Sequence, residues 1–510
     1  MKKNAFRILC ALLCCLMAML PLAGCKKGTT PSGTNEEQPT RRPNQGTEDQ
    51  DKMPEHDFGG KTFYIYNSVQ CDYSWGSSNP FIEGDESDDT TVSSQVLARN
   101  SYIIENMNAD FKFINVDQKY DQVTAYFRNL FLNNENLDLI INKLYPLVDL
   151  SLEGGLVNTA SNNYFDYFSS YWYADYMNDL SLDGGNTCYL LAGDYFMDII
   201  RSVNVLAYNM DMMDSLNEDK GGNRSFVDEV KDGGWTMERM IELSNMAYSD
   251  QDGEPGKSAG DRYGYISSQI WGALIPMVTG FGLKYATFED GNVTLELNND
   301  RSAKAVTLMK ALFNGEGSGG YTVTGSLTGS NVVGSEAEML SCFMNERTLF
   351  LGETRFADMA RLTDMEGKWG VLPYPKLDDV QNDYISPTHD TTEVGAIPRI
   401  CSDKESVLQL LEYLGLLTSR TVMTEYYDNL LQSRYSKEPV VKELVTIIHD
   451  HLGGAFVVGY NNAAKNGLLW EPFYKPVILD RDFSAYYPSY STALKGNLET
   501  ILTNWSRYME

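Results

Sequence analysis

The sequence predicts an α/β protein built in two domains, and two observations predict it. Between Phe63 and Ile141 short apolar strands alternate with helical patterns, the strand–helix–strand–helix–strand order of a parallel sheet covered by helices. The body after residue 57 runs to about 450 residues, beyond the ~250–300 at which one core stops growing.

Phe63-Tyr64-Ile65-Tyr66 is the first predicted strand, apolar on both faces as a sheet buried between helices requires. Val96, Ile103, Ile104 and Met107 recur at helical spacing over 93–107. A strand over 111–116, a helix over 120–132 and the buried run Leu137-Asp138-Leu139-Ile140-Ile141 complete the layer. Past Gly154-Gly155, strands are expected at 189–191 and 203–208. Gly233-Gly234 opens a helix to residue 248, with Thr236 as N-cap and Glu238 favourable to the dipole in its first turn. Short strands at 264–266 and 293–297 and a helix over 301–313 follow. The last third holds strands at 348–351, 370–372 and 394–397. Ser402 and Glu405 have capping-box spacing ahead of Val407, Leu410, Leu411, Leu414 and Leu417 at the helical period, and a further helix spans 438–452.

The N-terminus carries an address. Lys2, Lys3 and Arg7 precede an apolar run over 8–20, and Leu22-Ala23-Gly24-Cys25 closes it. That layout is a secretory signal, too short for the ~20 residues of a spanning helix. The small pair before Cys25 resembles a bacterial lipobox, which implies that the Cys25 thiol is lipidated and that cleavage makes it the first residue. Residues 26–57 are Gly, Thr, Pro, Ser, Asn, Gln and charge, a disordered tether with a reach of roughly 30 Å.

Composition excludes several functions. The net charge of −29, with no basic stripe interleaved with aromatics, argues against nucleic acid. Cys71, Cys188, Cys342 and Cys401 are spaced for neither a zinc module nor a small disulfide scaffold, and either pairing or burial suits them. There is no Gly-x-Ser-x-Gly elbow, Walker loop or His-Glu-x-x-His, and no cofactor is predicted. His449 and His451 stand two apart on a predicted helix and so point to different faces. A carboxylate pair for glycoside hydrolysis needs no local motif, so a surface glycan-processing hydrolase stays an alternative.

Four stretches together resemble a known family: Leu137 to Thr159 with Gly154-Gly155-Leu156; Val205-Leu206-Ala207-Tyr208-Asn209-Met210; Trp235-Thr236-Met237 through Tyr263-Gly264; and Gly367 to Pro375 with Gln381, Tyr384 and Ala396-Ile397-Pro398. In this order behind a lipobox they resemble the extracellular solute-binding lipoproteins of bacterial ABC importers, above all the sugar-binding group. The resemblance implies a type II periplasmic-binding-protein-like fold with two discontinuous lobes joined by a hinge. The expected partition is 58–188 with 341–392 in one lobe and 189–340 with 393–510 in the other. It further implies a monomeric receptor, anchored on the outer face of the cell membrane, that passes a sugar to permease subunits. A lipoprotein that only docks partners is the remaining alternative.

A sugar cleft needs planar hydrogen-bonding groups and aromatic faces. Asp72, Tyr73 and Trp75 follow the first strand, where loops of α/β sheets line crevices. Asp194 ends a predicted strand near the expected crossover. Trp271 is a further candidate, although packing alone would account for it. Glu353 and Arg355 follow a strand and either serve a ligand or pair with one another. His389 and Asp390 precede the 394–397 strand, where the resemblance places cleft contacts. Trp235 and Trp369 are assigned to packing. Asp250, Asp252, Glu254 and Asp261 have calcium-loop spacing, but Pro255 stands where such a loop has its glycine and the twelfth residue is Asp.

Overall fold

A computed structural model describes residues 55–69, 81–85, 91–164, 167, 169–219, 225–253, 257–258, 260–314, 318–322, 332–432 and 439–508. The leader, Cys25 and the tether lie outside these residues, as do Cys71, Asp72, Tyr73, Trp75 and Glu254. Among the described residues no helix is long and apolar enough to cross a membrane. Cys188, Cys342 and Cys401 are free thiols, and the latter two are buried.

The first sheet is built from β1 (Lys61–Ser68), β2 (Ala109–Val116) and β3 (Leu139–Lys143), all parallel, with Phe63 opposite Phe111 and Ile65 opposite Leu139. Every residue of β3 is buried, as expected for a central strand covered on both faces. The second sheet contains β4 (Asn204–Asn209), β5 (Tyr263–Ser267), β8 (Gly320–Thr322), β9 (Thr348–Arg355) and β10 (Trp369–Leu372), in the order β10-β4-β9-β5-β8. A separate hairpin joins β6 (Ala286–Glu289) to β7 (Asn292–Leu295). The last strand, β11 (Glu393–Ala396), runs antiparallel to β3 and completes the first sheet as β11-β3-β1-β2.

These pairings divide the chain differently from the expected partition. β9 lies between β4 and β5, so the segment after residue 341 belongs with the second sheet. β11 pairs with β3, so the chain has returned to the first sheet by residue 393. The exchange falls between β10 and β11 because each strand joins the sheet whose open edge accepts its hydrogen bonds. Residues 189–191 also depart from expectation: they form a single bridge, Leu191 to Gly395, and no extended strand.

Three segments cross between the sheets side by side. The Asn204 amide donates to the Pro387 carbonyl at 2.8 Å and the His389 amide to Ser202 at 2.8 Å. On the other side of the same segment, the Ser386 amide donates to His451 at 2.7 Å and the Gly453 amide to Ser386 at 3.2 Å. Helix Pro439–Asp450 packs on β10, and helix Ala455–Asn461 packs on helix Leu144–Leu152, so residues 451–453 also pass from one sheet to the other.

Local chemistry sets the flanking helices. Thr236 caps helix Met237–Ala247, its Oγ1 accepting from the Arg239 amide at 3.3 Å. Helix Lys404–Arg420 is capped by Asp403, which accepts from the Ser406 amide at 3.2 Å, in place of the expected Ser402. Asp403 has the better reach and is also held by Lys61 at 3.0 Å. Trp235 is fully buried, donates Nε1–H to the Pro373 carbonyl at 2.9 Å, and packs edge-on to Phe226 and tilted against Phe350, which agrees with a packing role.

Helix Met237–Ala247 lies so close on β5 that a Cβ on Gly264 would sit 2.0 Å from the Ser244 Cα. Backbone opposes backbone there, so no rotamer change relieves the clash. Gly264→Ala is expected to lower the unfolding free energy by ~1–3 kcal/mol or more, read from urea unfolding.

Candidate functional site

Beside the crossing segments two arginines are each held by an acid three residues away. The Arg201 Nη1 lies 3.2 Å from Asp198 Oδ1, and Asp198 Oδ2 also accepts from Ser202 Oγ and the Glu393 amide. Burial pushes the Asp198 carboxyl up against the pull of Arg201. The Arg201 guanidinium stands over the Phe81 ring at 4.1 Å, a stacked cation–π contact. Arg355 binds Asp358 through Nε at 2.8 Å and Nη2 at 3.1 Å, the two-pronged geometry in which Arg is strongest. Both pairs are buried. His389 stands 2.9 Å from Asp390, the next residue.

An aromatic group adjoins this layer along β9. Trp271 opens helix Ile270–Gly280; its ring lies 5.5 Å from Trp470 and 5.2 Å from Tyr474, edge-on to the tyrosine. Trp470 and Tyr474 are 4.4 Å apart and belong to one π-helical turn, Trp470–Tyr474, a distortion frequent at functional sites. Trp271 and Trp470 are half-buried and Tyr474 buried, so the two tryptophans retain open surface.

Glu353 is placed against the same helix end by strain. Its backbone has φ of 55°, the left-handed region a non-glycine residue seldom occupies. The side chain reaches Ser268, whose amide and hydroxyl donate to Oε2 at 2.9 and 2.6 Å. A Cβ on Gly272 would lie 1.8 Å from Glu353 Oε1, so only glycine leaves room for this carboxylate beside Trp271. Enclosure pushes the Glu353 carboxyl up to about 7; the Ser268 and Gln269 donors oppose the rise and Glu336 adds to it.

The remaining predicted residues separate into those that join this region and those that do not. Glu353 and Arg355 do not pair with one another: the first turns to Ser268 and the second to Asp358. Asp194 is buried, accepts from the Tyr173 hydroxyl at 2.5 Å and faces His449 Nε2 at 3.9 Å, a packed polar node. Asp250, Asp252 and Asp261 bring carboxylate oxygens within 4.8 Å of one another, but at the opposite end of β5 from Ser268. Asp261 accepts from the Gln251 and Ser258 amides and the Tyr263 hydroxyl, which tie the loop into a turn. Asp198, Arg201, Asp358, Phe81, Trp470 and Tyr474 were absent from the predicted set. The available signals were the acid–base spacing of three in 198–201 and 355–358 and the aromatic spacing of four in 470–474.

Glu353 also fixes a pH dependence. The folded chain holds its proton up to about pH 7, whereas an ordinary glutamate releases it at 4.5. Stability from this group is therefore full below 4.5 and is lost as pH rises towards 7. Glu353→Gln should remove that part of the slope, so its Tm gains on the unaltered protein across the window. A difference in Tm that stays constant with pH contradicts this.

No protein-family model and no curated protein matches the sequence. Solved structures do share the fold. The maltose/maltodextrin-binding domain MalE from Bdellovibrio bacteriovorus, bound to maltotriose, is 14% identical with a TM-score of 0.50, over 86% of this chain and 99% of that one. A cyclo/maltodextrin-binding protein complexed with maltotetraose gives 11% and 0.54, over 86% and 97%. The galacto-N-biose/lacto-N-biose I-binding protein of the Bifidobacterium longum ABC transporter, in complex with lacto-N-biose, gives 11% and 0.53, over 87% and 99%. At these identities the likeness is one of fold, and it bears out the expected class: the chain has the two-lobed α/β fold of MalE-like periplasmic binding proteins.

Proposed function

We propose that this protein is a cell-surface receptor of an ABC importer that captures a carbohydrate between two lobes and delivers it to a membrane permease. The observation that carries this is the aromatic platform of Trp271, Trp470 and Tyr474 beside the Glu353 carboxylate. Flat apolar faces and a fixed hydrogen-bonding group are what a sugar ring and its hydroxyls require. The maltotriose, maltotetraose and lacto-N-biose in the complexes of similar fold support the same ligand class.

In this reading the first lobe gathers around the sheet β11-β3-β1-β2 and the second around β10-β4-β9-β5-β8, with residues 202–204, 386–389 and 451–453 as the hinge. Ligand bound to both lobes favours the closed form, and the permease recognises that form. Arg201 with Phe81, Arg355, His389 and Asp390 supply polar contacts along the cleft, joined by Asp72, Tyr73 and Trp75 from the segment after β1. Asp194 supports the wall. No covalent chemistry is needed. Cys25 carries the lipid, and the tether keeps the receptor near its permease.

Titration calorimetry with maltooligosaccharides tests the receptor directly. Trp271→Ala and Trp470→Ala should each weaken binding by about 10–100-fold with the fold intact by circular dichroism. The sugar should be recovered uncleaved by chromatography; released products would favour a hydrolase, and an absence of binding a docking protein. Separately, Cys25→Ser should move the protein from the membrane fraction of expressing cells into the medium, and retention of the variant in that fraction contradicts lipidation at this residue.

A further inference from the structure

Three of the acids beside the crossing segments come with cations of their own. Asp198 has Arg201 at 3.2 Å, Asp358 has Arg355 at 2.8 Å and Asp194 has His449 at 3.9 Å. Glu353 is different. Its oxygens meet the Ser268 amide and hydroxyl and the Gln269 amide, and among the described residues no Lys, Arg or His lies within ion-pair distance of it. An enclosed carboxylate with dipoles but no counter-charge is a costly arrangement, which agrees with its retention of a proton to about pH 7.

Two further features point to what would complete it. The residue against which the carboxylate rests, Gly272, follows Trp271, and the half-open faces of Trp271 and Trp470 attract cations through their ring quadrupoles. The net charge of −29 raises the local concentration of cationic solutes and lowers that of anionic ones. A neutral sugar can exchange hydrogen bonds with Glu353, yet supplies no counter-charge to favour its ionised form.

We propose that the ligand taken here is an amino-bearing carbohydrate, its ammonium group paired with Glu353 and its ring laid on the Trp271 and Trp470 faces. This rests on the receptor reading and narrows it. The amino group supplies the one charge that the site's own residues withhold.

Titration calorimetry on the full chain near neutral pH would compare three probes: a glucosamine oligosaccharide, its N-acetylated counterpart and a maltooligosaccharide. The amino compound should bind about tenfold more tightly than the acetylated one, and that preference should shrink as salt is raised. Glu353→Gln should abolish the preference, bringing the affinity for the amino compound down to that for its acetylated counterpart. Equal or weaker binding of the amino compound overturns the proposal, and binding of the neutral sugars would then leave the receptor reading standing. Failure of all three to bind overturns both. If Glu353→Gln does not fold, the salt series on the unaltered chain decides, and a preference insensitive to salt overturns the proposal.

Discussion

The segment 386–389 is bonded on both of its sides, to 202–204 by the Asn204 and His389 amides and to 451–453 by the Ser386 and Gly453 amides. Everything else in the molecule hangs from this small three-stranded junction. It lets β10 end one sheet and β11 begin in the other, and it brings the helix ending at Asp450 to the foot of the helix beginning at Ala455. It also determines which side chains can meet, since Asp198, Arg201, Arg355, His389 and Glu393 all lie within a few residues of a crossing or of a strand that leads into one.

Much of the architecture was legible because strands buried on both faces leave a plain mark. Phe63 to Tyr66 and Leu139 to Ile141 could be placed from apolar runs alone, and Thr236 from the chemistry of its hydroxyl. What failed to show was partnership. Leu191 and its neighbours are as apolar as a strand, but they form isolated bridges, Leu191 to Gly395 and Gly193 to Trp172, and nothing local reveals that no ladder extends from them. The switch of sheets between Leu372 and Glu393 was hidden for the same reason, because the choice between two sheet edges is made by distant residues.

The candidate site was half visible. Trp271 and Glu353 could be nominated as residue types, whereas their neighbours Trp470, Ser268 and Gly272 gain meaning only once segments nearly 200 positions apart converge. The local acid–base pairs mislead in the opposite direction. Arg355 stands next but one to Glu353 in sequence, a spacing that puts both on one face of a regular strand, yet the left-handed backbone at Glu353 turns the two apart. Proximity along the chain was a poor guide where the backbone was strained.

The two-sided bonding of residues 386–389 has a mechanical consequence. A single linker between two bodies permits both bending and twisting. Strands laid side by side and tied by hydrogen bonds resist torsion and shear but still flex across their width. Relative motion of the two lobes is thereby reduced to a narrow set of rotations, so the faces that separate return in the same register. In the receptor proposed above, recognition becomes the setting of one angle.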